Sequence, residues 1–108
     1  MTKSLIDRMD KRVTIYRPTE ETDEANQPLD ELIAVATLWA AIEPLRGREY
    51  AAALQQNAEV NTRIRIRFRE GIDRTMVVKY GDHVFEILYV LHSEFGKKEL
   101  QLMSKERQ

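Results

Sequence analysis

Thr62-Arg63-Ile64-Arg65-Ile66-Arg67-Phe68-Arg69 sets four arginines in strict alternation with three large apolar residues. Successive side chains of a β-strand point to opposite faces, so Ile64, Ile66 and Phe68 share one face and the arginines share the other. A helix at 3.6 residues per turn mixes these two sets, so the stretch is read as a strand. One face needs a dry core. The other needs water, anions or carboxylates.

The remainder of the chain supplies strands to pair with it. Residues 11–17 alternate, with Val13 and Ile15 opposite Arg12, Thr14 and Tyr16, until Pro18 removes an amide donor. In residues 32–45, Leu38, Ala40 and Ile42 alternate with Thr37, Trp39, Ala41 and Glu43, and Pro44 ends the run. Trp39 sits among small alanines; a core position is the preferred reading for it, with its ring over a barrel end or a neighbouring subunit as the setting. Beyond the arginine strand, Glu70-Gly71-Ile72-Asp73 reads as a turn, and Met76, Val78 and Tyr80 alternate with Val77 and Lys79. Gly81-Asp82 suits a two-residue hairpin turn with glycine first. Residues 84–91 form a nearly continuous apolar strand broken by Glu86, residues 92–98 a turn, and residues 99–103 a last strand. The expected fold is mainly β, a small antiparallel barrel or sandwich of about six strands with one short helix or loop insertion between strands two and three.

That insertion has its own character. Residues 48–59 hold four alanines, Leu54 and two glutamines with no β-branched residue, a helix-forming composition. Twelve residues make a helix about 18 Å long. Its apolar stripe is narrow, Tyr50, Leu54 and Ala58, with burial of the two large side chains contributing about 1.5–3 kcal/mol each. Isolated helices of this length are marginal in water. A mobile, projecting element is therefore expected unless something docks on it.

The composition bounds the rest. The 108 residues form one domain, 43% apolar and 32% charged, with net charge −1. The termini, residues 1–10 and 104–108, are expected to be flexible. The charges are segregated: residues 19–31 carry six acids and no Lys or Arg, while residues 61–69 carry four arginines and no acid. The absence of cysteine excludes disulfides and thiolate metal sites. No secretory signal or membrane-length apolar run is visible, so a soluble, cytoplasmically made protein is expected.

Little in the sequence points to chemistry. The acidic stretch lacks the Asp-x-Asp-x-Asp-Gly register that gathers the six to eight oxygens calcium needs, and is read as a solvated hairpin loop. His83 and His92 form no metal-ligand spacing, the glycines form no phosphate loop, and Ser4, Ser93 and Ser104 lack a nucleophile context. Glu43 and Glu86 interrupt apolar strands; pairing with arginine is preferred over an acid–base role. No catalytic residue, metal or cofactor is assigned.

Three roles are open for Arg63, Arg65, Arg67 and Arg69. They are exposed pairs with acids on adjacent strands, phosphate contacts of a nucleic-acid-binding barrel, or a subunit interface. A nucleic-acid surface calls for interleaved aromatics, and Phe68 points to the core side. The acidic loop, with Glu20, Glu21, Asp23 and Glu24, supplies a complementary patch, so the interface is favoured.

Taken together, the motifs resemble a known family. Arg12-Val13-Thr14-Ile15, then Thr37-Leu38-Trp39-Ala40-Ala41-Ile42-Glu43-Pro44-Leu45, then Gly47-Arg48-Glu49, are similar to the phage head–tail adaptor (head–tail joining, or stopper) proteins. Arg63 to Arg67, Gly71-Ile72, Met76 to Gly81, Val84-Phe85-Glu86-Ile87 and Glu99-Leu100-Gln101-Leu102 continue the pattern. The resemblance implies a β-barrel connector of the virion neck, assembled in the host bacterial cytoplasm as a ring between the portal and adaptor proteins and the tail proteins. It also implies that residues 46–61 project into the channel and help retain packaged double-stranded DNA. In this chain that segment includes Arg46, Arg48, Glu49, Tyr50, Leu54, Gln55, Gln56 and Asn57. Steric closure, with non-specific DNA proximity and no membrane partner, is the expected role. The alternative is a small β-barrel nucleic-acid-binding module.

Overall fold

A computed structural model describes residues 9–19, 24–25, 31–92 and 98–107. Among these residues six strands and one helix follow in the order β1 (Lys11–Pro18), β2 (Leu32–Pro44), α1 (Gly47–Gln56), β3 (Thr62–Arg67), β4 (Val77–Tyr80), β5 (His83–His92) and β6 (Glu99–Glu106). All pairings are antiparallel, and the sheet closes as a barrel in the order β1-β2-β3-β6-β5-β4. Closure pairs every strand on both sides over part of its length, while residues 32–39 of β2 run past β3 paired to β1 alone.

The arginine-strand register fixes the inside of the barrel. Ile64 and Ile66 sit opposite Leu102 and Leu100 on β6, and opposite Ile42 and Ala40 on β2. Val13, Ile15, Met76, Val78, Phe85 and Ile87 complete this buried set. Each large side chain buried here contributes about 1.5–3 kcal/mol. Ser104 is also buried, and its hydroxyl donates to the Leu102 carbonyl at 2.9 Å, which satisfies the polar atom.

Two hairpins close as anticipated. Thr19 N–H donates to the Glu31 carbonyl at 3.0 Å where the acidic loop leaves and re-enters the sheet. Tyr80 pairs with His83 across Gly81-Asp82, and Gly81 has φ +56°, a left-handed conformation that glycine adopts without a Cβ clash. The strand order between β3 and β4 departs from sequence neighbours: β3 pairs with β6, and β4 returns to β1.

Three expectations need correction. Trp39 is not in the core: it lies on the outer face with 53% of its surface exposed, because Ala40 takes the inward position opposite Ile66. The last strand does not end at Met103; Ser104, Lys105 and Glu106 continue β6 against β5, and near the other end of the chain Met9 is buried. The arginine strand ends at Arg67, and Phe68 follows it half-buried against the core.

Candidate functional site

The excursion between β2 and β3 starts and ends at one clamp. Leu45 N–H donates to the Asn61 carbonyl, and Asn61 N–H to the Ser104 carbonyl, both at 3.0 Å. The Asn61 side-chain oxygen accepts from Glu106 N–H at 3.1 Å and from the Thr62 hydroxyl at 2.8 Å. One asparagine thus ties the feet of α1 to the ends of β2, β3 and β6. Gly47, at φ +56°, turns the chain out of β2 into the helix. Arg46 at the N-cap makes no side-chain capping bond, so the first-turn orphan amides depend on Glu49 for favourable charge. At the other end Asn57 N–H donates to the Ala53 carbonyl, and the Asn57 side chain accepts from Glu59 N–H at 2.9 Å.

The helix is shorter than the sequence suggested and docks by a different face. Ala53 is its buried residue, packed with Leu45, Val60 and Met103 on the outer wall of the barrel, with Leu88 and Tyr89 at the margin. Burial raises the Tyr89 phenol above its ordinary 10.0. Tyr50 and Leu54, the anticipated apolar stripe, are exposed at 38% and 39%, and Ala58 is exposed too. Among the described residues Ala53 is the one fully buried side chain of α1. Beside it an open cleft of about 420 Å³ runs between the helix and β5–β6, lined by Glu49, Ala52, Gln56, Tyr89, Leu91 and Gln101 among others.

Charge supplies the second attachment, and here the arginine row divides in two. Arg63 is only 13% exposed and reaches Glu43 Oε1 with Nε at 3.2 Å and Glu49 Oε1 with a terminal nitrogen at 3.2 Å. It bridges β2 to the first turn of α1. Arg65, 21% exposed, brings Nε within 2.9 Å of the same Glu43 oxygen. That nitrogen has no aligned hydrogen bond. The contact is therefore an ion pair governed by distance, not a directed bond. Glu86 takes the matching role for Arg107, at 2.9 Å on an exposed surface. Arg63 and Arg65 thus lie against carboxylates of the same chain, whereas Arg67 and Arg69 have no carboxylate partner among the described residues.

That outer half of the row meets Trp39. Arg67 and Arg69 are exposed, and with Arg12, Thr37, Leu38, Trp39 and Phe68 they line a hollow of about 270 Å³. Arg12 pairs with Trp39 across β1–β2, and its guanidinium carbon lies 5.1 Å from the indole ring centre. The charged face therefore does carry an aromatic. The alternation within β3 could not reveal it, because Trp39 belongs to the neighbouring strand. Of the acids assigned to the complementary patch, Glu24 is exposed, while Glu20, Glu21 and Asp23 lie outside the described residues. Of the channel-segment residues, Arg46, Arg48, Gln55 and Gln56 are exposed and Asn57 is half-buried. Among the described residues no cluster of His, Asp and Glu could hold a metal ion, and no helix is long and apolar enough to cross a membrane.

The sequence profile of the phage head completion proteins matches residues 5–107. The chain belongs to that family. The family is one of structural phage virion proteins. Solved structures share the fold, among them these two. The solution structure of protein SF1141 from Shigella flexneri 2a superposes with a TM-score of 0.76 at 24% identity, over 95% of this chain and 96% of that one. A chain of the virion of a native gene transfer agent particle superposes with a TM-score of 0.63 at 14% identity, over 93% and 96%. No curated protein matches the chain. The resemblance read from the Trp39 to Glu49 motifs and this family assignment agree.

Proposed function

We propose that this head completion protein is a connector of the virion neck: copies form a ring that joins the portal and adaptor proteins of the filled head to the tail proteins. The family assignment over residues 5–107 carries this reading. The closed barrel suits a scaffold that presents loops and faces to several neighbours.

In the same proposal, residues 46–61 close the channel and retain packaged DNA, and assembly takes place in the host bacterial cytoplasm. The attachment of α1 supports the gate. The helix is about 15 Å long, has one fully buried side chain and one ion pair among the described residues, and leaves Tyr50 and Leu54 exposed. Such an element can leave the wall without opening the barrel core, since its two feet remain clamped at Leu45 and Asn61. Exposed Arg48, Gln55 and Gln56 then contact phosphate without reading sequence.

Nuclease protection of filled heads tests the gate. Heads lacking this protein are expected to lose their DNA to added nuclease, and to keep it once purified protein is added. A variant with α1 replaced by a short glycine–serine linker is expected to bind heads and leave the DNA unprotected. Full protection by that variant would remove α1 from the closure.

A further inference from the structure

We infer that the open edge of β2 over residues 32–39 takes an added strand: an extended, largely apolar segment of a neighbouring virion protein, with a carboxylate at the end that reaches Arg67 and Arg69. This rests on the connector reading for the source of the segment, and deepens it by naming a surface and the chemistry that fits it.

The edge begins where β3 stops. β2 pairs with β1 from Leu32 to Ala40, but its ladder with β3 starts only at Ala40. Past Arg67 the chain follows β6 instead, and Phe68 N–H donates to the Lys98 carbonyl at 3.1 Å. Seven steps of β2, about 23 Å, are left with one neighbour. Every second residue of an antiparallel strand turns its N–H and C=O away from its partner. Among the described residues none of these outward groups bonds to the chain. Natural edges are blunted by charge, proline or shortness. Here no charged residue occurs between Glu31 and Glu43, in a chain that is 32% charged. Leu32 and Ile33 are exposed as well. A bulge at Val35, which has no partner on β1, interrupts the run and leaves regular strand on either side of it.

The carboxylate is selected at the Trp39 end. The hollow of about 270 Å³ between Thr37-Leu38-Trp39 and Arg67-Phe68-Arg69 occupies the place of a ladder neighbour to β2. Arg12, Arg67 and Arg69 are exposed around it, and none has a carboxylate partner among the described residues. Asp10, on the other side of the indole, pairs with Lys11 at 2.9 Å. A strand lying along β2 thus ends against an exposed tryptophan and guanidinium groups that pair two ways with carboxylate. Nucleic acid satisfies the arginines but has no row of amides and carbonyls to match a strand edge, so the occupant is polypeptide. In such strand addition the main chain supplies affinity and the end contacts supply specificity. A second copy pairing edge to edge makes a closed two-fold dimer and leaves no route to a ring, so the segment is assigned to a different protein.

A fluorescein-labelled probe peptide, Thr-Val-Thr-Val-Thr-Val-Glu-Glu, tests the site on the full chain by fluorescence anisotropy and by hydrogen exchange of residues 33–38. The peptide is expected to bind and to slow alternate amides of that stretch about tenfold or more, those facing away from β1. Methylating the backbone nitrogens of its odd residues, or of its even ones, is expected to abolish binding in one case only, because a single edge of an added strand faces β2. Replacing its two glutamates by lysines is expected to weaken binding about 30-fold. That loss is expected to vanish in the Arg67→Ala, Arg69→Ala double variant, checked for folding by circular dichroism. No binding by the parent peptide, or equal binding by both methylated forms, would overturn the inference and leave the connector reading standing. Slow exchange of the same amides in concentrated pure protein would assign the edge to a second copy and overturn it too. Heads that refuse the protein while the peptide binds as described would overturn the connector reading and support the strand site.

Discussion

Replacing Glu43 by glutamine tests whether the arginine strand is satisfied from within the chain. The substitution keeps shape and removes charge. Glu43 Oε1 lies 3.2 Å from Arg63 Nε and 2.9 Å from Arg65 Nε, and the two arginine side chains are only 13% and 21% exposed. They are also two residues apart on one strand face, so roughly 7 Å separates their backbones, and without the carboxylate the two cations repel. Exposed ion pairs contribute about 0–1 kcal/mol, and breaking a buried pair costs about 3–5 kcal/mol. This half-buried triad falls between, and Glu43→Gln is expected to cost about 2 kcal/mol, lowering the melting temperature by roughly 10 °C in a domain of this size. Thermal unfolding followed by circular dichroism reads the shift. Glu86→Gln, which breaks the exposed pair with Arg107, provides the comparison and is expected to cost less than about 1 kcal/mol. Equal, small losses for both variants would refute the reasoning and return Arg63 and Arg65 to the solvent-facing or intersubunit roles.

Leu102→Ala, in the centre of the barrel opposite Ile64, is expected to cost about 3–4 kcal/mol in urea unfolding, since a closed barrel collapses poorly around a void. Glu49→Gln removes the ion pair between α1 and Arg63; amide exchange is expected to quicken across residues 51–56 and stay slow at Ile64 and Ile66, whereas unchanged exchange in α1 would show that the Ala53 contact suffices. Asp73 accepts hydrogen bonds from the Thr75 hydroxyl and amide, which hold its carboxyl below the ordinary 3.8. A lowered folded-state value stabilises the fold above the unfolded value, and that stabilisation is lost as pH falls through the folded one, below about pH 4. Thr75→Val is expected to move the Asp73 titration, followed by NMR, back up toward 3.8 and to soften the acid limb of stability.

The fold was legible wherever one strand carried its own signal. Alternation in residues 62–69 placed Ile64 and Ile66 inside and the arginines outside, and the Gly81-Asp82 turn was visible as glycine first. What the sequence left hidden depends on neighbours across the sheet. The β3–β6 and β4–β1 pairings that close the barrel join residues about 40 and 65 positions apart, and no local pattern encodes them. Trp39 was misplaced because a tryptophan among alanines looks buried, yet the alternation that puts Ala40 inside puts Trp39 outside. The division of the arginine row was hidden for the same reason: Glu43 and Glu49 reach Arg63 from another strand and from the helix. In α1, helix-forming composition located the element, but the largest apolar side chains did not mark its docking face. A single alanine did, because only a small residue lets the helix approach Met103 and Val60 closely.

The most direct measurement of the connector account is electron microscopy of DNA-filled, tailless heads before and after addition of the purified protein. The account predicts an added ring of protein density directly below the portal, with barrel-sized subunits, and tails that attach only to heads carrying it. Heads that accept tails with no such ring, or protein that binds elsewhere on the capsid, would contradict it.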